Sequence, residues 1–305
     1  MNFTEEYSEQ PQGSDDTEWL SCADGSKLFV RCWQAEMPLA TVLYLHGIEG
    51  HSLWFKETAE FLQDRGISIL AVDRRGSGMS QEKRGDCKNW QVLIDDTRVA
   101  LNFAKQKAGS NPLFLMANCW GAKLASILAQ EQCPESKYLA GLIFSSPAIE
   151  VKVDLPLRQK LEVAWGLLFG PGKNIPIPLK IEDFTDNQRF LEFISSDKLR
   201  LVDASPRFFF STAILSLMSK QTAEKISLPT LLVQSGIDSI VDIDRVKSWY
   251  NRLSSSDKTM QIFPGILHSL DFDSNPAEYR NLLLDWICKH SNSQRSEFSR
   301  ENSLA

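Results

Sequence analysis

Three residue types that acyl transfer requires occur in this chain in a usable order: a cysteine at 119, an aspartate at 238 and a histidine at 268. A thiolate attacks carbonyl carbon, an imidazole takes and returns a proton, and a carboxylate fixes the imidazole's tautomer. Cys119 lies in Ala117-Asn118-Cys119-Trp120-Gly121, between an apolar run and a helical pattern. A small residue two places before and a glycine two places after are the layout of a nucleophile elbow, whose usual form is Gly-x-Ser-x-Gly. A free thiol has a pKa near ~8.5 and needs help to ionise at neutral pH. His268 supplies a base, and the helix N-terminus after Trp120 favours the thiolate. Each residue has a plainer competing role. Cys119 would be a buried filler, Asp238 a turn cap with Asp242 as rival acid, and His268 a structural loop residue.

The elements that must hold these residues can be read from periodicity. Short apolar runs at 40–45, 67–72, 113–117, 138–144, 230–234 and 259–263 are predicted strands. Helical spacing occupies 52–65, 90–107, 122–132, 245–253 and 277–290. Asp24-Gly25 marks a hairpin within 19–33. Alternation of strand and helix predicts an α/β fold with a mostly parallel central sheet and helices on both faces. Cys119, Asp238 and His268 each follow a strand, at the sheet edge where open α/β sheets bind ligands. Residues 150–227 break the rhythm. They carry prolines, the cluster Phe208-Phe209-Phe210 and helical stretches at 157–169 and 208–220 without a convincing strand. This predicts an inserted helical lid. The expected organisation is a mobile lead-in at 1–18, a core at 19–149 and 228–290 around the lid, and a disordered tail at 291–305.

An oxyanion also needs donors. The backbone N–H of Trp120 follows the nucleophile. The loop after 40–45, His46-Gly47-Ile48, offers the Ile48 N–H, with His46 as a structural group of that loop. The Trp120 ring either crowds the acyl pocket or packs against the lid.

Composition narrows the classes. The 305 residues are 43% hydrophobic, with 33 basic against 39 acidic residues and a net charge of -6. This argues against nucleic acid as a main partner. Six scattered cysteines form no C-x-x-C pair, so neither a zinc site nor a disulfide framework is expected. No signal-peptide pattern and no run of spanning length is visible, which points to the cytoplasm and no transmembrane segment. The glycine-rich turn 73–80 lacks both the G-x-G-x-x-G order and a P-loop lysine, and no cofactor is expected.

Over about residues 25–290 the chain resembles the α/β-hydrolase superfamily, closest to the monoacylglycerol lipase and lysophospholipase group. His46-Gly47-Ile48-Glu49-Gly50-His51-Ser52 is similar to its His-Gly-x-x-x-His-Ser loop, and Asp73-Arg74-Arg75-Gly76-Ser77-Gly78-Met79-Ser80 to its Asp-x-Arg-Gly-x-Gly-x-Ser turn. Asp238-Ser239-Ile240-Val241-Asp242 resembles the acid loop, 265–268 the histidine loop, and Ser146-Pro147-Ala148 the stretch leading into the cap. The resemblance implies an oxyanion N–H at Ile48 and triad roles for Asp238 and His268. At the elbow, the group's Gly-His-Ser-Met-Gly-Gly becomes Ala117-Asn118-Cys119-Trp120-Gly121-Ala122. A cysteine there is similar to dienelactone hydrolases and polyhydroxyalkanoate synthases. The expectation is an ester or thioester hydrolase with a Cys-His-Asp triad and an acyl-Cys119 intermediate, acting on a small ester or thioester with an apolar chain. Its alternatives are an acyltransferase, with coenzyme A or an acyl-carrier protein as donor, and an inactive binding protein of the same fold.

Overall fold

The computed structural model describes residues 16–80, 83–170 and 173–303. The strands in chain order are β1 (Asp16–Ser21), β2 (Lys27–Trp33), β3 (Ala40–Leu45), β4 (Ile67–Val72), β5 (Leu113–Asn118), β6 (Leu139–Ser145), β7 (Ile175–Pro176), β8 (Asp203–Ala204), β9 (Thr230–Ser235) and β10 (Lys258–Phe263). Eight of them form one sheet, in the order β1-β2-β4-β3-β5-β6-β9-β10. The pairings of β2 with β1 and β4 are antiparallel, and the rest of the sheet is parallel. Every residue of β3, β4, β6 and β9 is buried. That explains their unbroken apolar runs: both faces are covered. Leu43 and Leu45 join one core, and Val42 and Tyr44 join the other.

The helices are α1 (Lys56–Gln63), α2 (Trp90–Ala108), α3 (Gly121–Leu128), α4 (Leu157–Phe169), α5 (Gln188–Ser196), α6 (Pro206–Lys220), α7 (Ile243–Asn251) and α8 (Ala277–Ser303). Local chemistry sets several ends. Asn89 caps α2 by accepting from the Val92 amide, and Gly109 ends it at φ 59°. Ser205 caps α6, with Pro206 at the first helical position.

Some boundaries differ from the sequence expectation. The helix expected over 52–65 opens with a 3-10 turn at Ser52–Phe55. The helix after the elbow stops at Leu128, because Gln130 and Cys133 side chains take up the Ile127 carbonyl. Residues 16–18 belong to β1, while 1–15 of the expected lead-in lie outside the described residues. The last helix runs to Ser303, through most of the expected disordered tail; no glycine or proline follows Pro276 to stop it.

The insertion between β6 and β9 is a helical cap. Its β7–β8 ladder has two residues per strand, too short for periodicity to reveal. Several ties fasten the cap to the core. Asp86 accepts from Ser205 and pairs with Arg207. Arg200 pairs with Glu49 at 2.7 Å, and the Leu201 amide donates to the Glu49 carbonyl. Asp197 accepts from His51 at 2.9 Å and from the Trp54 indole at 2.7 Å. The outer side of α4 leaves Leu157, Leu161, Trp165, Leu168 and Phe169 exposed.

Candidate active site

Cys119 sits where β5 turns into α3, in left-handed backbone at φ 49°. Such a conformation is costly for a residue with a Cβ and persists only when neighbours hold it. Three bonds do so: the Cys119 amide donates to the Ser145 carbonyl at 3.0 Å, and its carbonyl accepts from Ala148 at 2.9 Å and Ala122 at 3.2 Å. The glycine after the turn has a steric reason. A Cβ on Gly121 would lie 2.6 Å from the Leu45 carbonyl oxygen and 2.9 Å from that of His46. Gly121→Ala is therefore expected to cost about 1–3 kcal/mol of unfolding free energy in a urea titration. A loss below about 0.5 kcal/mol, the range of a surface change, would mean that the end of β3 does not constrain the elbow.

Asp238 follows β9, and His268 lies in the loop after β10. Asp238 Oδ2 accepts from His268 Nδ1 at 2.9 Å, Ser235 Oγ at 2.9 Å and Gln234 Nε2 at 3.0 Å. Its Oδ1 accepts from the Ile240 and Val241 amides, each at 2.9 Å. Burial alone would raise the Asp238 pKa, but His268 and these donors outweigh it and bring it down to about 2. Burial likewise disfavours the imidazolium of His268. The Asp238 carboxylate and the Cys119 sulfur oppose that and raise its pKa. With Nδ1 donating to Asp238, Nε2 is the free atom. It is buried without a hydrogen-bond partner. The Cys119 sulfur is near enough to bias the ring's charge. Asp242, the rival acid, instead caps α7 through the Arg245 amide at 3.1 Å.

The proposed oxyanion amides flank Cys119 on separate elements. Neither the Ile48 nor the Trp120 N–H donates to another described residue. His46 is structural: its Nε2 accepts from the Arg74 amide at 2.9 Å, so Nδ1 carries the proton and donates to the Gly47 carbonyl at 2.7 Å. Burial first, then Arg74, holds its pKa well below the usual histidine range. Arg74 went unnoticed in the sequence except as part of a turn motif. Its guanidinium donates to the Gly47 and Ile48 carbonyls and to Ser77 Oγ, and lies 4.5 Å from the Trp120 ring centroid. It thereby fixes the loop that bears the Ile48 amide.

The Trp120 ring packs against the cap, stacked on Phe208 and donating to Thr212 Oγ1 at 3.2 Å. Beside it lies a cavity of about 210 Å³, lined by Ile48, Cys119, Trp120, Lys123, Phe209 and Ser216 among others. Lys123 is a second residue that the sequence reading passed over. Among the described residues, no group of His, Cys, Asp and Glu could hold a metal ion.

The family described as serine aminopeptidase, S33, matches residues 36–275. The chain is similar to phospholipase YtpA of Bacillus subtilis, 24% identical over 240 residues that cover 78% of this chain and 91% of that protein. It is similar to human monoglyceride lipase, 26% identical over 252 residues, covering 81% and 82% of the two. Among solved structures, a soluble variant of monoglyceride lipase from Saccharomyces cerevisiae shares its fold. The TM-score is 0.80 at 19% identity, covering 92% of this chain and 97% of the other.

These findings correct two expectations. The resemblance is to a serine-type hydrolase group, without a separate cysteine-nucleophile branch. The acyl-Cys119 intermediate of a Cys-His-Asp triad is likewise overturned; hydrolysis of the esterase or lipase type by the serine-based α/β-hydrolase mechanism stands in its place. The physical reason lies in the elbow. Ala117, Gly121 and the backbone bonds at 119 make its geometry, and they serve a hydroxyl as well as a thiol.

Proposed function

As the chain belongs to the serine aminopeptidase S33 family, we propose that it hydrolyses small, lipid-like carboxylic esters at the site around His268. It is an enzyme of the carboxylic-ester hydrolase type. In this reading Asp238 orients His268, whose Nε2 takes a proton from the water that adds to the ester carbonyl and returns it to the leaving alkoxide as the C–O bond breaks. The Ile48 and Trp120 amides hold the developing oxyanion. Cys119 occupies the elbow position that faces the carbonyl carbon, and no acyl-cysteine step is part of the reading. The observation that carries it is the His268 ring itself, with Nδ1 bound to Asp238 and Nε2 free and buried beside the elbow. A phospholipase and a monoglyceride lipase among the relatives support a lipid-like ester. No observation favours coenzyme A or an acyl-carrier protein as donor. The cytoplasm suits six unpaired thiols. No helix among the described residues is long and apolar enough to cross a membrane.

The cavity beside Trp120 takes the acyl chain in this reading. A series of p-nitrophenyl esters of rising chain length tests it, in the wild type and in Ser216→Phe. The wild type should turn over all members above background. The variant should lose roughly ten-fold in kcat/KM on the octanoyl ester. It should keep the acetyl ester within about two-fold, since a short chain does not reach Ser216. Equal losses on both esters would place the acyl chain elsewhere. A wild type inert on the whole series and on 1-hexanoyl glycerol would overturn the hydrolase reading.

A further inference from the structure

The cavity wall contains a buried cation that ester hydrolysis does not use. Lys123 is on α3, four residues after Cys119, and is 2% exposed. Its ammonium donates to the Ala148 carbonyl oxygen. Among the described residues no carboxylate pairs with it. Glu150 is engaged by Lys220 at 2.7 Å, and Asp154, at the cavity rim, by Lys160.

A buried charge with one neutral partner is costly, and natural interiors pair such charges. The bond to Ala148 does not account for the charge, because a neutral amide side chain would donate to the same carbonyl. A ligand entering the cavity reaches the ammonium directly, since Lys123 and Cys119 line the same space. An anionic group carried near the scissile carbonyl of an ester at the elbow can therefore meet the ammonium within this one cavity.

We propose that Lys123 is the specificity-determining residue of this cavity: it binds an anionic oxygen group, carboxylate or phosphate, that the ester carries a few bonds from its scissile carbonyl. The inference rests on the hydrolase reading for the ester, but the anion site stands on its own geometry. Carboxylate and phosphate share the chemistry of a charge-assisted bond to an ammonium. They differ in where the substrate bears them. A carboxylate extends the acyl chain, and a phosphate belongs to the alcohol. Burial brings the Lys123 pKa down to about 8, so the cation is present at neutral pH and lost above it. Cys119, Lys220 and Glu150 face it from the elbow, α6 and the cap approach, with Asp154 at the rim.

The test uses two matched pairs: monoethyl adipate against ethyl hexanoate, and 1-hexanoyl glycerol 3-phosphate against 1-hexanoyl glycerol. Wild type is compared with Lys123→Gln, which keeps a donor for Ala148, and with Lys123→Met, which keeps only volume. In the wild type, one anionic member should exceed its neutral partner in kcat/KM. That preference, read as the ratio of anionic to neutral ester within each variant so that a change common to both members cancels, should fall about 10- to 100-fold in both variants. The responding pair tells which side of the ester carries the charge. A preference that survives Lys123→Gln overturns the proposal, as does a wild type that favours both neutral esters. Calorimetric titration of the two anionic esters into His268→Ala, with and without Lys123→Gln, reads the site without turnover. Binding that vanishes with the lysine, and weakens as pH rises through about 8, supports the site even if no ester is cleaved. Neutral esters cleaved with no charge preference would overturn the lysine's role and leave the hydrolase reading standing.

Discussion

Asp238→Asn is expected to slow ester hydrolysis about 10⁴-fold in kcat, with the fold intact. The magnitude follows from bonds that a carboxamide cannot satisfy. Oδ1 of Asp238 accepts from two backbone amides, so the asparagine oxygen must take that place. Its NH₂ then points at Gln234 Nε2, Ser235 Oγ and His268 Nδ1, all of which donate to Asp238 now. The serine hydroxyl can turn its proton away. The imidazole can answer only by moving its proton to Nε2, which converts the one free acceptor at the elbow into a donor. A base is lost without a cavity being made. Steady-state kinetics with an unfolding titration checks this. A loss under about ten-fold would mean that His268 keeps its working tautomer without Asp238, and the assigned acid would be wrong.

Cys119→Ser is expected to raise ester turnover by roughly ten-fold or more, because it returns to the elbow the hydroxyl that the family's mechanism activates by general base. It should also move the rate's pH dependence. His268 works as a base only when neutral, so activity rises as pH climbs through its folded pKa. That pKa is held up to about 10, with Asp238 and the Cys119 sulfur both opposing burial. Serine removes the sulfur's share and leaves the carboxylate's. The rising limb should therefore shift to lower pH without returning to the ordinary histidine range. Slower turnover in the serine variant, or a limb that does not move, would contradict this account of the elbow.

Much of this site was legible before any coordinates. Cys119, Asp238 and His268 each stand just past a buried apolar run in the sequence, and the sheet brings those run ends to one edge. His46 was read as a loop-bonding residue from its neighbours, and its two bonds agree. The chemistry expected at residue 119 was not legible. A side-chain type gives the atom at a position, whereas the elbow's geometry belongs to the backbone around it. Arg74 and Lys123 were missed for a related reason. Their importance comes from partners far away in sequence, the Gly47 and Ile48 carbonyls and the cavity under the cap. A cation inside an otherwise apolar helix pattern, as in Gly121-Ala122-Lys123-Leu124-Ala125, was the one local sign that could have flagged Lys123.

The loop that carries the Ile48 amide also bears the anchor points of the cap: Glu49 holds Arg200 and Leu201, while His51 and Trp54 hold Asp197. With Ile48 in its proposed oxyanion role, admission and catalysis would be thermodynamically linked through one short segment. A ligand that tightens around the Ile48 N–H strengthens cap closure by the same free energy with which a closed cap strengthens that ligand's hold. Loosening Arg200 or Asp197 would act at a distance on the oxyanion itself. A distant cap substitution would then register as a poorer transition state as well as an easier doorway.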